Sequence, residues 1–504
     1  MKEEIFELEA QKKSKKLYGY QANDLSEIFK RIDEHDGNYN LLYQLPTGGG
    51  KTVIFSEISR QFIEKTGKKV LILTHRVELC NQTAKMLDGF GVQNKVINSK
   101  VKELPDQDDY VCFVAMVETL NNRLMDEKFE LNDIGLVIID EAHYNSFNKL
   151  FKYFDNRFIL GVTATPLSSN MKIPMKGNYD ELITGLDIAA LIKEGFLSKA
   201  ITYSYDVGLT SLKIGVNGDY TVKSSELLYT DYPMQEKLLF AYEEKAKGTK
   251  TLIFNNGINT SKEVYDTFKA AGYNIRHLDN KNNKAEREDI LTWFRTTPDA
   301  ILTSVSILTT GFDEPTVETI VLNRATKSLA LYFQMIGRGS RILPNKKTFS
   351  VIDLGNNAAR FGLWFEKIDW QYIFRVPDLY LETIQSDEEI ERNFVYSMPD
   401  ELKANFKKTK ELDFDIKARY KEILLQHKRP KIVIEESMLN HAKMCCENAD
   451  DAFDARALAK LLEDDIKDRI RRYSYCICKS THSYVQWLEE DYTRKLRVEI
   501  GKRF

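Results

Sequence analysis

No stretch of this sequence strings together the roughly 18 apolar residues that a membrane-spanning helix needs. The opening segment, MKEEIFELEAQKKSKKLYGY, is charged throughout and offers no apolar core for a secretory signal. Cysteine is scarce, 6 among 504 residues, and none is spaced as an obvious disulfide framework. These absences predict a soluble cytoplasmic protein with no membrane partner. Net charge is nearly absent too, at −3, so the overall balance announces no polyanion partner. A local basic groove remains compatible with that total. Repeats and low-complexity tracts are also missing.

What the sequence does contain is alternation. Short apolar, β-branched runs at 39–45, 69–75, 109–116, 134–140 and 157–163 are separated by amphipathic stretches of helical length such as 51–65. A second series follows at 250–256, 273–279, 299–305, 317–323 and 348–354. This pattern predicts an α/β fold with two tandem doubly wound parallel-sheet domains. Beyond about residue 370, mixed charge at helical spacing predicts a mainly helical C-terminal domain. The expected division is an N-terminal extension (1–16), a first domain (17–200), a connector or insertion rich in Gly, Ser, Thr and Tyr (201–235), a second domain (236–370) and a helical accessory domain (371–504).

Two stretches carry chemistry. QLPTGGGKT (44–52) lies between a strand and a helix, the setting a phosphate-binding loop requires. Gly48, Gly49 and Gly50, after Pro46 and Thr47, let backbone N–H groups face a phosphate chain, and the helix N-terminus adds partial positive charge. Lys51 can reach the outer phosphates of ATP, while Thr52 can place its hydroxyl on Mg²⁺. Leu45 stands where the simplest pattern has glycine. Then LVIIDEAH (136–143) sets two acids at a strand's carboxyl end, where ligands sit in parallel sheets. Asp140 is expected to hold Mg²⁺, and Glu141 to polarise the attacking water. Further on, Arg338 and Arg341 are three apart on a predicted helix and can reach a phosphate together from a second domain.

Together these residues resemble superfamily 2 DEAH-box helicases and translocases, through motifs in order over residues 17–360. The resemblance implies RecA-like domains, with Gln21 in LYGYQ reading adenine and Tyr18 as a stacking surface. LTHRVELCNQ (73–82) and VAMVETL (114–120) are similar to nucleic-acid backbone motifs, which implies contacts from Arg76 and Thr119. GVTATP (161–166) implies that Thr163 and Thr165, with His143, couple hydrolysis to movement. LTTGFDEP (308–315) implies Thr309 and Thr310 at nucleic acid and Gly311 and Asp313 at ATP, and QMIGRGSR (334–341) adds Gln334 to the two arginines. GFDEPTV, FQMIGRGSRI and VIDLGNNAARFG resemble the RadD-type branch, related to the motor subunits of type I and III restriction enzymes. That branch implies DNA rather than RNA, in repair, recombination or replication-fork remodelling. Two other functions stay open: the motor of a restriction or antiphage complex, and a clamp or sensor that hydrolyses ATP without unwinding.

The tail holds its own candidates. Its cysteines, with His441 and His482, lack a familiar zinc spacing. Asp400, Asp415 and Lys417 mimic an acid–acid–lysine nuclease pattern but lie in a stretch that reads as charged helix. The basic, aromatic segments 469–475 and 492–504 are candidates for nucleic-acid contact, and 371–504 for a protein partner.

Overall fold

The structure, a computed structural model, describes residues 17–35, 37–101, 106–168, 173–305, 308, 312–392, 394, 398–477 and 480–504. In the first unit the strands β1 (Asn40–Gln44), β2 (Lys69–Thr74), β3 (Asn94–Ile97), β4 (Cys112–Met116), β5 (Ile134–Asp140), β6 (Phe158–Thr163) and β7 (Glu181–Thr184) form one seven-stranded parallel sheet in the order β3-β4-β2-β5-β6-β1-β7. Helices on both faces bury it, which is why the strands read as continuous apolar runs. Along β5, Leu136 and Ile138 pack with Ile54, Phe55 and Ile58, whereas Val137 and Ile139 face the opposite core with Leu42 and Phe113. The helices used below are α1 (Gly19–Glu34), α2 (Lys51–Thr66), α3 (Val77–Gly89) and α4 (Val117–Met125).

The second sheet repeats the plan with β8 (Lys199–Ser204), β9 (Thr251–Asn255), β10 (Ile275–Leu278), β11 (Ile301–Ser304), β12 (Thr319–Asn323) and β13 (Thr348–Asp353), in the order β10-β11-β9-β12-β13-β8. The segment expected as a connector, 201–235, lies largely inside this unit. β8 pairs in parallel with β13, and Val207, Leu209, Tyr220 and Tyr229 share a core with Ile253, Val321 and Ile352. KAITYS is a half-exposed edge strand, so its apolar content is too low to read as a strand. Helices α5 (Val222–Tyr229), α6 (Ile258–Ala270) and α7 (Lys284–Thr296) flank this sheet, and α8 (Leu329–Ile336) faces the first unit.

The C-terminal region is helical and has its own apolar core, with α9 (Ile432–Asn448), α10 (Glu463–Ile477) and α11 (His482–Arg503) at its centre. Arg471 and Arg472 of α10, both paired with Asp468, meet Asp206 of the second unit, and Tyr475 enters that unit's core. Among the described residues no helix is long and apolar enough to cross a membrane.

Candidate functional site

Strand ends and the loops that leave them build the site. After β1 the chain turns through 45–50 and enters α2 at Lys51. Gly48 and Gly50 have φ of 93° and 88°, where a side chain costs ~1–2 kcal/mol. Space is short as well. A Cβ on Gly48 would meet Arg341 Nη1 at 2.5 Å, and one on Gly50 would meet Gln21 Nε2 at 2.5 Å. Leu45 buries its side chain in the core and offers its carbonyl to Lys51 Nζ at 3.3 Å. Its side chain packs beneath the loop, where a Cβ on Gly49 would meet Leu45 Cγ at 2.8 Å. Pro46 O accepts the Gly49 N–H at 3.0 Å. Thr47 lies under Gly337 of the second unit, and Thr52 follows on the first turn of α2.

β5 delivers Asp140 at its last position and Glu141 immediately after it, with Glu141 held at φ 53°. The Glu141 N–H donates to Asp140 Oδ1 at 3.0 Å. His143 Nδ1 lies 3.0 Å from Thr163 Oγ1 and 3.5 Å from Glu141 Oε2. Thr163 Oγ1 in turn donates to Thr165 O and accepts from Thr165 N–H, both at 3.1 Å. Gln44 Nε2 completes the link by donating to Ala164 O at 3.0 Å. The phosphate loop, the acid pair and the threonine motif thus form one hydrogen-bonded floor.

Charge is concentrated there. Burial, with Glu141 alongside, raises the Asp140 carboxyl above its ordinary range. Burial acts the same way on Glu141, yet its charged neighbours, Lys51 foremost, outweigh it and hold that carboxyl low. The Lys51 ammonium is lowered by burial against the pull of Glu141 and Asp140. Burial likewise lowers the His143 imidazole.

From the second unit, Arg338 Nη1 donates to Phe312 O at 2.5 Å, and burial brings its guanidinium down to about 10. Arg341 Nε donates to Asp313 Oδ1 at 2.7 Å. Asp313 therefore holds the arginine over Gly48. Thr47 Oγ1, Glu141 Oε2, Thr165 Oγ1 and Arg341 Nη1 are buried with no hydrogen-bond partner. Gln334 is buried on α8 and lines the cleft opposite Tyr144.

Beside the loop, Gln21 Nε2 donates to Gly49 O at 3.2 Å and Tyr20 OH to the same oxygen at 2.7 Å. Tyr18 is 55% exposed, with its ring 4.6 Å from that of Phe196. Tyr20 and Phe196 are additions to the expected set. Tyr20 sits within the quoted LYGYQ motif, but nothing local marks Phe196, which only the chain's return between the units brings here. Arg76 borders two cavities between the units. One, of about 620 Å³, is also lined by His143, Tyr144, Lys327 and Gln334. The other, of about 640 Å³, carries Asn256, Asn259, Lys262 and Lys281. Thr119, half-buried on α4, lines neither. Thr309, Thr310 and Gly311 lie outside the described residues.

The tail's candidates are committed to structure. Asp415 caps a helix by accepting from the Lys417 and Ala418 N–H groups, and Lys417 Nζ contacts Glu391 and Thr210. Arg469 and Arg472 are buried against Asp465 and Asp468, so segment 469–475 does not present a free basic face. His441 is spent on Asp465 and Tyr492. Cys478 and the His482 side chain lie outside the described residues, among which no group of three metal-ligating side chains converges.

This geometry has relatives. The family described as "Type III restriction enzyme, res subunit" matches residues 14–168, and "Helicase conserved C-terminal domain" matches 233–343. The 51.5 kDa protein of a Lactococcus phage is 30% identical over 342 residues, covering 66% of this chain and 69% of that protein. The chain belongs to the superfamily 2 helicases. A candidate ATP-dependent helicase of Saccharomyces cerevisiae, IRC3, is 31% identical over 357 residues, and the match takes in 67% of this chain but only 51% of the yeast protein. A fragment of a candidate HsdR subunit of a Vibrio vulnificus type I restriction enzyme shares the fold, with a TM-score of 0.53 and 22% identity over 68% of this chain and 64% of that one. The two parallel-sheet units are thus the RecA-like pair of a helicase, followed by a helical region.

Proposed function

We propose that this chain is an ATP-driven motor on nucleic acid, a DNA helicase or translocase of the DEAH type in the RadD-like branch. One observation carries the reading. The phosphate loop and acid pair of one unit and two arginines of the other meet in one cleft, with Arg341 already lying over Gly48.

In this reading Lys51 and the loop N–H groups bind the ATP phosphates. Glu141, kept ionised by its lowered pKa, orients and polarises the attacking water by accepting its hydrogen bond. Arg338 and Arg341 balance the charge that develops on the transferred phosphoryl group. Thr47, Glu141, Thr165 and Arg341 have spare hydrogen-bonding atoms for this. Asp140, whose Oδ1 accepts only a neighbouring N–H, and Thr52 suit Mg²⁺, which when bound supplies charge neutralisation at the outer phosphates. Loss of the γ-phosphate releases the arginines, so the cleft opens and closes with each turnover. Arg76 on one side and Lys262 and Lys281 on the other hold the polymer backbone, so sequence is not read. His143 and Thr163, in place of the Asp and Ser usual in DEAD-type RNA helicases, support DNA.

The test is ATP hydrolysis by the purified chain with no polymer, single-stranded DNA, duplex, forked DNA or RNA, with Glu141→Gln as control. DNA-specific stimulation, lost in Glu141→Gln, is expected. Hydrolysis indifferent to every polymer would overturn the motor. A second reading, the motor subunit of a restriction complex with a partner on 371–504, is supported by the match of 14–168 to a restriction-enzyme family. Co-purification of a nuclease or methyltransferase would select it, whereas stimulated hydrolysis without strand displacement would favour a clamp or sensor.

A further inference from the structure

β2 and β5 are neighbours in the first sheet, with Leu73 registered against Ile139. His75, one residue past β2, therefore emerges beside the turn that carries Glu141. Three rings form a column there. The His75 centroid lies 4.3 Å from that of Tyr144, and Tyr144 lies 4.3 Å from His143. One end of the column touches the hydrolytic centre, because His143 Nδ1 is 3.5 Å from Glu141 Oε2. The other end adjoins Arg76, the next residue in the chain. Tyr144 also donates its backbone N–H to Glu141 O at 3.1 Å, closing the turn that keeps Glu141 in its left-handed conformation. Its ring borders the cavity of about 620 Å³ that Arg76 and Gln334 share.

The chemistry of His75 is at odds with a packing role. Both ring nitrogens are buried and neither has a hydrogen-bond partner. Burying unpaired nitrogens is costly, and a leucine would fill the space without that cost. Planar rings instead slide and tilt as a unit, so a shift at Arg76 can reach the Glu141 turn over a single ring's width.

We infer that His75 and Tyr144 are positioning residues that couple polymer contact at Arg76 to the alignment of Glu141. The inference rests on the motor reading. Neither side chain touches the reacting atoms, so their effect falls on the stimulated rate and not on ATP or polymer affinity.

The experiment measures kcat and the KM for ATP in the full chain, with and without a saturating single-stranded oligonucleotide. The oligonucleotide is DNA or RNA, whichever stimulates the unaltered protein more. His75→Leu and Tyr144→Leu, made separately, are expected to keep the polymer-free rate, the KM and the oligonucleotide Kd within about twofold while losing stimulation by about tenfold. Tyr144→Phe, which keeps the ring, is expected to restore stimulation. Leu variants that stay fully stimulated overturn the coupling alone. So do variants in which basal and stimulated rates fall in parallel, the mark of a merely structural role. An unaltered protein that no polymer stimulates overturns the motor reading and takes the coupling with it.

Discussion

Two buried polar clusters in this molecule differ in what they leave unspent. In the helical unit, Arg469 Nε pairs with Asp465 at 2.6 Å, and Asp465 accepts from His441 Nε2 at 2.6 Å. His441 Nδ1 accepts from Tyr492 OH at 2.8 Å, Tyr492 meets Ser437 Oγ at 3.0 Å, and Arg469 Nη1 returns to Ser437 Oγ at 3.3 Å. The ring is closed, and each of its members has a partner within it. In the cleft between the sheets, Thr47, Glu141, Thr165 and Arg341 each keep a buried polar atom without a partner. A satisfied network fixes a core, whereas an unsatisfied one stores capacity for a ligand. Both clusters contain histidine, carboxylate and arginine, so residue type does not distinguish them. Completion does.

The comparison breaks first along function and stability. Arg338→Ala is expected to lose about 10³–10⁵ in polymer-stimulated kcat, as removal of a phosphate-stabilising arginine does. Its burial already lowers its pKa, so folding should be little harmed. Asp465→Ala should do the reverse. It strands a buried guanidinium and costs about 3–5 kcal/mol in the helical unit while sparing hydrolysis. Hydrogen exchange over 432–500 and steady-state hydrolysis, measured on both variants, decide the matter. If Asp465→Ala removes activity with exchange unchanged, the assignment of roles is inverted.

Acid probes the same ring. An unfolded histidine titrates near ~6.5, whereas burial and Arg469 hold His441 at about 4. The unfolded chain therefore takes up its proton first as pH falls. Stability of the helical unit is complete above the unfolded value and declines from ~6.5 toward ~4, by up to ~3 kcal/mol. Asp465 adds a further loss at lower pH, since His441 and Arg469 hold its carboxyl below the ordinary range against burial. Exchange over 432–500, corrected for its intrinsic pH dependence, should quicken on going from pH 7 to pH 5. A flat profile would mean that His441 titrates in the folded unit as it does unfolded, and slower exchange toward pH 5 would mean that it is charged when folded.

The contrast also explains what the sequence could disclose. The strands that carry the site were legible because parallel, doubly buried strands are continuous apolar runs, and the loop at 44–52 and acids at 140–141 lie at their ends. β8 escaped because an edge strand such as KAITYS lacks that signal. Segment 469–475 read as a basic face because Asp206 reaches it only in three dimensions, although Asp465 and Asp468 already stood one helical turn before Arg469 and Arg472. Phe196 was silent because only a returning chain brings it to the site, whereas His75 lay within LTHRVELCNQ and only the pairing of β2 with β5 sets it beside Glu141.

The smallest effect is the sharpest test of completion as the distinguishing property. Tyr492→Phe removes one oxygen from the closed ring and leaves His441 Nδ1 without its donor. The expected cost is about 1–2 kcal/mol, the desolvation penalty of a buried group left unpaired. Thr165→Val removes one oxygen of similar burial from the cleft, but Thr165 Oγ1 has no partner to strand. That change should be neutral to folding or slightly stabilising, whatever it does to coupling. Chemical denaturation followed by exchange in each unit compares the two directly. Equal costs would mean that the cleft's hydroxyl is satisfied in solution, and its spare capacity would no longer mark a binding site. A cost confined to Tyr492→Phe would show that this molecule completes its hydrogen bonds where it must hold shape and withholds them where it must meet a ligand.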